Sequence, residues 1–234
     1  MKIRHIAGYK FISLSELSAW KSLFSELCRL LKGTILLSEE GININLSGTD
    51  ENIATFKNAL PDPFKSLTFR ETITERIPYK RLKVMIKKEI ITFRQPDIHP
   101  EKKRAPTISG EFLKQLLDEN RDLILLDTRN LYEIAYGTFT KATHLNIEDF
   151  SEFTRAVAPL NPEKPIVMFC TGGIRCEKAS LYLMNKGFSE VYQLDGGILQ
   201  YFAKVGGAHY DGACFVFDER EALYPNLQSI HQKD

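Results

Sequence analysis

The sequence predicts an α/β protein of two domains, an N-terminal α+β domain and a C-terminal α/β domain with a mostly parallel sheet. Strand-like and helix-like segments alternate through residues 1–94, and the second half holds three short apolar runs typical of buried parallel strands. Between the halves, Gln95–Pro106 contains three prolines and no apolar period, which is typical of a linker. A length of 234 residues is sufficient for both domains.

The N-terminal half predicts four strands, two helices and a further strand or hairpin. The strand candidates are His5–Ile12, Thr34–Leu37, Ile42–Leu46 and Ser66–Thr72, followed by Leu82–Phe93. A helix is expected to begin at Ser13, with Glu16 completing a capping box, and to end near Gly33. A second helix with one apolar face stops at Pro61. The order β-α-β-β-α-β is that of a ferredoxin-like fold, so we assign residues 1–94 to a ferredoxin-like (acylphosphatase-like) domain.

The C-terminal half predicts parallel strands that end at chemically active residues. The apolar runs are Leu123–Leu126, Pro165–Phe169 and Val191–Leu194, followed by Asp127, Cys170 and Asp195. Helical stretches such as Glu177–Lys186 lie between the runs. In open parallel sheets, chemistry gathers at the carboxyl ends of the strands. We assign residues 107–220 to this α/β domain, 95–106 to the linker and 221–234 to a C-terminal tail.

Composition excludes several classes of protein. Lys and Arg number 31 against 30 Asp and Glu, so a nucleic-acid surface must be a local patch. No apolar run approaches the roughly 20 residues of a membrane span, and no apolar signal region follows the first charges. We therefore expect a soluble protein of the cytoplasm. Four cysteines are too few for a disulfide framework, and no Cys/His spacing suits zinc, so we predict no metal.

One segment carries the spacing of a reactive cysteine. A cysteine at the end of a buried strand is followed by two glycines, an arginine and a helix. Such a turn aims backbone N–H groups at one point above a helix N-terminus. These dipoles and the arginine favour the thiolate, which is the nucleophilic form of cysteine. We predict Cys170 as the catalytic residue. The predicted active-site loop is Cys170, Thr171, Gly172, Gly173, Ile174 and Arg175.

The other three cysteines have separate interpretations. Cys176 directly follows the loop and is either a resolving thiol for Cys170 or a packed residue of the first helical turn. Cys214 lies in an apolar segment and is interpreted as structural. Cys28 lies beside the apolar stripe of the first helix, where we expect a small core residue.

The six-residue C-x4-R loop resembles that of rhodanese sulfurtransferases. Asp127-Thr128-Arg129 with Glu133 and Tyr136–Phe139 resembles a second rhodanese element, and Gly187–Gly197 resembles the closing run. The resemblance implies a rhodanese domain over residues 107–220, in which Asp127 and Arg129 brace the active loop. The sequence departs from the family pattern at Thr138, Lys141 and Asn146.

A longer resemblance covers nearly the whole chain. The run from Cys170 to Tyr192, the segment Cys214–Arg220 and Glu39–Asn43 together resemble the rhodanese-containing tRNA uridine hydroxylases. The resemblance implies hydroxylation of the wobble uridine of tRNA to 5-hydroxyuridine, with molecular oxygen as co-substrate. No other cofactor is evident, because no Rossmann fingerprint for a flavin or nicotinamide occurs.

A basic segment is the candidate tRNA surface. Arg70–Arg104 holds eleven basic and five acidic residues, a local charge of +6. On charge alone, a solvated surface and an RNA-binding surface are equally acceptable interpretations of this segment. The resemblance to the tRNA uridine hydroxylases favours tRNA binding. We predict RNA contacts from Lys80, Arg81, Lys83, Lys87 and Lys88. Tyr79 and Phe93 are aromatic residues that could stack on bases.

Two other functions stay open from the residues alone. A sulfurtransferase would move sulfane sulfur through a Cys170 persulfide, and a non-catalytic RNA-binding module would carry a vestigial loop. The intact cysteine loop argues against the non-catalytic RNA-binding module. In the hydroxylase, the Cys170 thiolate could add to C6 of uracil, or a persulfide or sulfenic form could react directly. The electron donor is not identifiable from the sequence.

Overall fold

The computed structural model describes residues 2–231, and the chain divides into two compact units, Met1–Ile90 and Ile91–Asp234. The domain boundaries predicted from sequence stay predictions. Residues 232–234 of the predicted C-terminal tail lie outside the described residues. From residue 2 to residue 231, no helix is long and apolar enough to cross a membrane.

The first unit is a five-stranded sheet with two helices packed against one face. Its elements are β1 (Ile3–Phe11), α1 (Leu17–Leu27), β2 (Lys32–Ser38), β3 (Gly41–Thr49), α2 (Asp50–Asn58), β4 (Arg70–Thr74) and β5 (Leu82–Ile86). The strand order is β4-β1-β3-β2-β5, antiparallel except for the β2–β5 pair. Alternate residues such as Ile6, Ile35 and Ile44 form a core with Phe24 of α1 and Phe56 of α2. The predicted ferredoxin-like order is confirmed, with β5 added at one edge.

The first helix begins later than the capping signal predicts. Ser13 is the predicted N-cap, but α1 begins at Leu17, after Glu16 in a left-handed conformation at φ 51°. The segment before the helix is extended, since the N–H groups of Ile12 and Leu14 donate to the turn carbonyls of residues 40 and 39, both at 3.0 Å. These long-range hydrogen bonds compete with the local cap and prevail.

The expected helix end at Gly33 is also wrong. Helix α1 ends at Leu27 with Cys28 as its C-cap, and Gly33 lies inside β2 at φ 143°. A Cβ at this position would lie 2.0 Å from the Asn45 carbonyl oxygen of the neighbouring strand. The glycine is therefore required by close strand pairing and not by a helix cap.

The second unit is built on a fully parallel five-stranded sheet. Its elements are β6 (Thr107–Ile108), α3 (Gly110–Asp118), β7 (Ile124–Asp127), α4 (Leu131–Ile134), β8 (Gly137–Phe139), β9 (Thr143–His144), α5 (Phe153–Ala156), β10 (Ile166–Phe169), α6 (Ile174–Asn185), β11 (Val191–Leu194), α7 (Gly197–Val205), β12 (Tyr210–Gly212), β13 (Cys214–Phe215) and β14 (Ala222–Leu223). The sheet order is β6-β11-β10-β7-β9, and all its pairs are parallel. Two antiparallel pairs, β12–β8 and β13–β14, lie outside it.

The central strands position the site. The three predicted apolar runs form β7, β10 and β11, so that prediction is confirmed. Strand β10 is buried throughout, with alternate residues packed into separate clusters on the two faces of the sheet. Phe169 pairs in register with Asp127, so β7 and β10 end side by side. The residues that follow these two strands therefore meet at one edge of the sheet.

Candidate active site

The loop between β10 and α6 holds Cys170 against backbone N–H groups. Cys170 is buried, and α6 begins four residues later at Ile174. Gly173 has a φ of 94°, a conformation that favours glycine, and its N–H donates to Cys170 Sγ over 3.1 Å. The predicted loop therefore turns toward its own sulfur.

The N-terminus of α7 holds the other side of this loop. The N–H groups of Ile198 and Leu199 donate to the carbonyl oxygens of Cys170 and Thr171, at 3.0 and 3.2 Å. Gly197 permits this approach, because a Cβ there would lie 2.4 Å from the Cys170 carbonyl oxygen. The loop carbonyls are thus directed to α7, which leaves loop N–H groups to face the sulfur.

The surroundings of Cys170 favour the thiolate despite the burial of this side chain. Burial by itself raises the pKa of a thiol, but a hydrogen bond from the Cys176 thiol and the charge of Arg175 outweigh it. Backbone N–H groups of Arg175 and Gly172 add to this effect, and together these groups lower the pKa of Cys170 to about 5. Cys170 is therefore a thiolate at neutral pH, which is the form that attacks electrophiles.

Cys176 is a protonated thiol beside that thiolate. Burial raises the pKa of Cys176 well above its ordinary value, and the neighbouring Cys170 sulfur raises it further. Its Sγ also lies 3.7 Å from Thr128 Oγ1. Cys176 is packed in the first turn of α6, and the resolving role stays a prediction.

Arg175 is fixed by a buried carboxylate. Its two terminal guanidinium nitrogens donate to the two carboxylate oxygens of Glu133, at 2.5 and 2.6 Å. Glu133 also accepts the Asn130 N–H at 3.2 Å in a capping box of α4, and Thr171 Oγ1 lies 3.4 Å from the same carboxylate. Glu133 belongs to the rhodanese-like pattern of the sequence, which by itself indicates no role for this residue. The Asn-x-x-Glu spacing of Asn130 and Glu133 is a capping-box pattern, and this pattern could have placed Glu133 in the first turn of a helix.

Asp127 and Arg129 form a fully buried ion pair at the end of β7. Arg129 donates Nε and Nη2 to the two carboxylate oxygens at 3.0 and 2.7 Å, and Nη2 also donates to the Gly137 carbonyl oxygen at 2.7 Å. Thr138 Oγ1 donates to the same carboxylate at 2.7 Å. These contacts tie β7 to β8 beside the loop. They suit the bracing role, which stays a prediction.

The remaining cysteines are packed in hydrophobic clusters. Cys28 is fully buried in the core of the first unit, as expected, and burial raises its pKa to about 12. Cys214 is fully buried in β13, and burial raises its pKa to about 11. Across the described range 2–231, no group of three His, Cys, Asp or Glu side chains is arranged to hold a metal ion.

The predicted RNA contacts are all exposed side chains of the first unit. Lys83 lies in β5, and the other four flank that strand: Lys80, Arg81, Lys87 and Lys88. Tyr79 is half-buried and stacks on the His5 ring at 5.8 Å. The suggestion that Phe93 stacks on bases is wrong, because Phe93 is fully buried and packs on the Phe150 ring at 4.8 Å.

The parallel sheet and the cysteine loop define a rhodanese-like domain, and the family model described as "Rhodanese-like domain" matches residues 109–204. A protein of Cupriavidus metallidurans named tRNA uridine(34) hydroxylase is 48% identical over 240 residues, covering 97% of this chain and 85% of the relative. One of the same name from Cupriavidus necator is 47% identical and covers 100% of this chain and 87% of the relative. The chain belongs to the family of tRNA uridine(34) hydroxylases.

The two family models match separate parts of the chain, one in each unit. The family model described as "UPF0176 acylphosphatase like domain" matches residues 3–90. The solution structure of a rhodanese-like domain from Anabaena is similar over 46% of this chain and 80% of that one, at 25% identity and a TM-score of 0.40. The two family models confirm the predicted fold class, a ferredoxin-like (acylphosphatase-like) domain followed by a rhodanese domain.

Proposed function

We propose that this chain hydroxylates uridine 34 of tRNA to 5-hydroxyuridine and that Cys170 is its nucleophile. The observation that carries the proposal is the ionised Cys170 in the loop after β10, where backbone N–H groups, Arg175 and Cys176 favour the thiolate. Relatives with 47–48% identity over nearly the whole chain bear the name tRNA uridine(34) hydroxylase. Since its substrate is tRNA, we expect the enzyme in the cytoplasm.

The chemistry assigned to Cys170 is nucleophilic catalysis. Uracil is electrophilic at C6, so addition of the thiolate forms an S–C6 bond and moves the electron pair of the C5–C6 double bond to C5. C5 then attacks O2 and forms a C5–O bond. The two-electron reductant cleaves the O–O bond of the resulting hydroperoxide, which leaves the C5 hydroxyl and releases water. Loss of the C5 proton with cleavage of the S–C6 bond restores the double bond and the free thiolate. Covalent catalysis of this kind divides one difficult step into easier ones.

Molecular oxygen is the proposed co-substrate. The net reaction consumes uridine, O2, two electrons and two protons, and it yields 5-hydroxyuridine and water. An assay must therefore supply a two-electron reductant, for which we choose a dithiol.

The proposed tRNA contacts lie on the first unit. Lys80, Arg81, Lys83, Lys87 and Lys88 are exposed and carry positive charge around β5. Contacts from Lys and Arg to phosphates give sequence-independent affinity for RNA. This surface supports a macromolecular substrate more than it supports thiosulfate, the small donor of the sulfurtransferase alternative.

The deciding experiment is nucleoside mass spectrometry of tRNA from cells that lack this gene. The cells are complemented with the wild type, with Cys170→Ser or with Cys28→Ala, whose cysteine lies in the core of the first unit. We expect 5-hydroxyuridine to be restored by the wild type and by Cys28→Ala, and not by Cys170→Ser. Unchanged 5-hydroxyuridine together with a lost thiolated nucleoside would contradict the proposal and support sulfur transfer.

A further inference from the structure

A group of aromatic side chains lies beside the catalytic loop and takes no part in the chemistry above. This aromatic surface consists of Tyr132, Tyr136, Phe215 and Phe217. The Phe215 ring contacts the other three rings at centroid distances of 5.2–5.4 Å. Phe217 is 64% exposed and Tyr132 42% exposed. Single exposed aromatic residues are ordinary, whereas contiguous exposed groups mark binding sites.

The aromatic surface borders the loop directly. The guanidinium carbon of Arg175 lies 5.9 Å from the centre of the Phe217 ring. The Thr171 hydroxyl donates to the Phe215 carbonyl oxygen at 3.3 Å. Thr171 and Arg175 belong to the loop that carries Cys170. A molecule that lies on Phe217 therefore lies next to the catalytic loop.

The surface is held in place by its own hairpin. Arg220 donates Nε and Nη2 to Asp218 at 2.8 and 2.6 Å, and both side chains are almost fully buried. The Val216 N–H donates to the Glu221 carbonyl oxygen at 2.9 Å across the turn. Phe217 lies in this tight turn between β13 and β14 and is directed outward. A rigid aromatic side chain loses little conformational entropy when it binds.

We propose that the aromatic surface stacks on an unpaired base of the RNA substrate adjacent to the target uridine. The proposal rests on the proposed function. A uracil within a stack of bases must leave that stack before a thiolate can reach C6. Aromatic side chains replace the lost stacking in proteins that read single-stranded RNA. A protein partner seated on the same rings would cover the loop that must admit tRNA, so we commit to a nucleobase.

The test uses the full chain and an anticodon stem-loop with 2-aminopurine on the 3′ side of uridine 34. Stacking quenches the fluorescence of this base, and the readout requires no turnover. In the Phe217→Ala variant we expect loss of quenching and about a ten-fold rise in Kd and KM for the RNA. The Phe217→Tyr variant should restore the quenching and the wild-type values of Kd and KM.

A matched control separates this effect from a general loss of exposed aromatic area. Phe112 lies on α3 and is 47% exposed, and Phe112→Ala should leave quenching and Kd unchanged. Equal quenching and Kd in Phe217→Ala and the wild type would overturn the proposal. If the wild type forms no 5-hydroxyuridine, the proposed function fails, while the fluorescence still decides the stacking.

Discussion

Cys170 and Cys176 are two buried thiols in opposite protonation states, because one donates a hydrogen bond to the other. Two negative charges on hydrogen-bonded neighbours would repel each other, so ionisation of Cys170 keeps Cys176 protonated. The same arrangement makes Cys176 a positioning residue for the Cys170 thiolate, whether or not it also forms a disulfide.

Replacement of Cys176 tests this relation. Cys176→Ala removes the S–H donor, so the pKa of Cys170 should rise from about 5 toward its ordinary value. Thiolate exists above the pKa, so the ultraviolet thiolate absorbance and the acidic limb of the pH–rate profile should both move to higher pH. Cys28→Ala is the control and should leave both midpoints unchanged. A midpoint that stays at the wild-type pH in Cys176→Ala would contradict the hydrogen-bond role.

Glu133 is predicted to be important for stability because it neutralises a buried charge. Glu133→Gln leaves the Arg175 guanidinium buried without a carboxylate, which costs about 3–5 kcal/mol. We expect urea titration to show this decrease in the free energy of unfolding of Glu133→Gln. Asp122→Asn removes the exposed partner of Lys164 and should cost under about 1 kcal/mol. Equal losses in the two variants would show that the Glu133–Arg175 pair is not stabilising.

At the residue scale, the sequence predicted the geometry of the loop around Cys170 better than the residues that support this loop. Cys170 and its glycines are adjacent in sequence, so their geometry is local. Glu133 lies 42 residues before Arg175, and Phe215 lies 44 residues after Thr171, so only the folded chain brings them together. Phe93 was misassigned for the same reason, since burial depends on the rings packed around it.

At the element scale, the strands that follow from continuous apolar runs were predicted and the start of α1 was not. Buried parallel strands need no local signal beyond short apolar runs, and β7, β10 and β11 have these. A helix start depends on a cap worth about 1 kcal/mol, which other hydrogen bonds can outweigh. The backbone hydrogen bonds of residues 12 and 14 have that effect before α1.

The contact between α7 and the loop that carries Cys170 gives a prediction at the same scale. Gly197→Ala would place a Cβ 2.4 Å from the Cys170 carbonyl oxygen, at a φ of 66°. We expect this substitution to lower the free energy of unfolding. By displacing the loop, it should also raise the pKa of Cys170, measured as the pH midpoint of thiolate formation. Gly187 is the matched control, because its φ is 89° and no atom lies within 4 Å of an added Cβ.

The control isolates backbone strain from the steric clash. Gly187→Ala should cost about 1–2 kcal/mol, the strain of a left-handed non-glycine residue, and leave the Cys170 midpoint unchanged. Gly197→Ala should cost more, because a carbonyl of the loop must also move. Equal costs and equal midpoints for the two variants would show that α7 does not fix the loop.

At the scale of the whole molecule, a chain of net charge +1 is proposed to bind a polyanion through one patch. Replacement of Lys80, Arg81 and Lys83 by Gln should weaken tRNA binding. It should also reduce the slope of log Kd against log salt concentration by about 2, since each phosphate contact contributes about 0.7–0.9. Fluorescence titration of tRNA across a salt series measures both.

A charge-matched variant completes this test. Lys2, Lys65 and Arg76 are exposed basic residues of the same unit next to β1 or β4, and β4 forms the sheet edge opposite β5. Their replacement by Gln removes the same charge away from β5. We expect a smaller change in slope for this variant. If both triple variants change the slope equally, tRNA binding depends on total charge and the β5 surface is only a solvated face.

The low pKa of Cys170 has a consequence for the newly synthesised chain. The groups that lower it come from the folded loop, which α4, α7 and the β13–β14 hairpin hold in shape. On the ribosome, before residues 197–223 have emerged, the thiol has an ordinary pKa and is mostly protonated at neutral pH. Thiol oxidation and alkylation require thiolate, so the nascent polypeptide carries a comparatively inert cysteine until synthesis of the domain is almost complete.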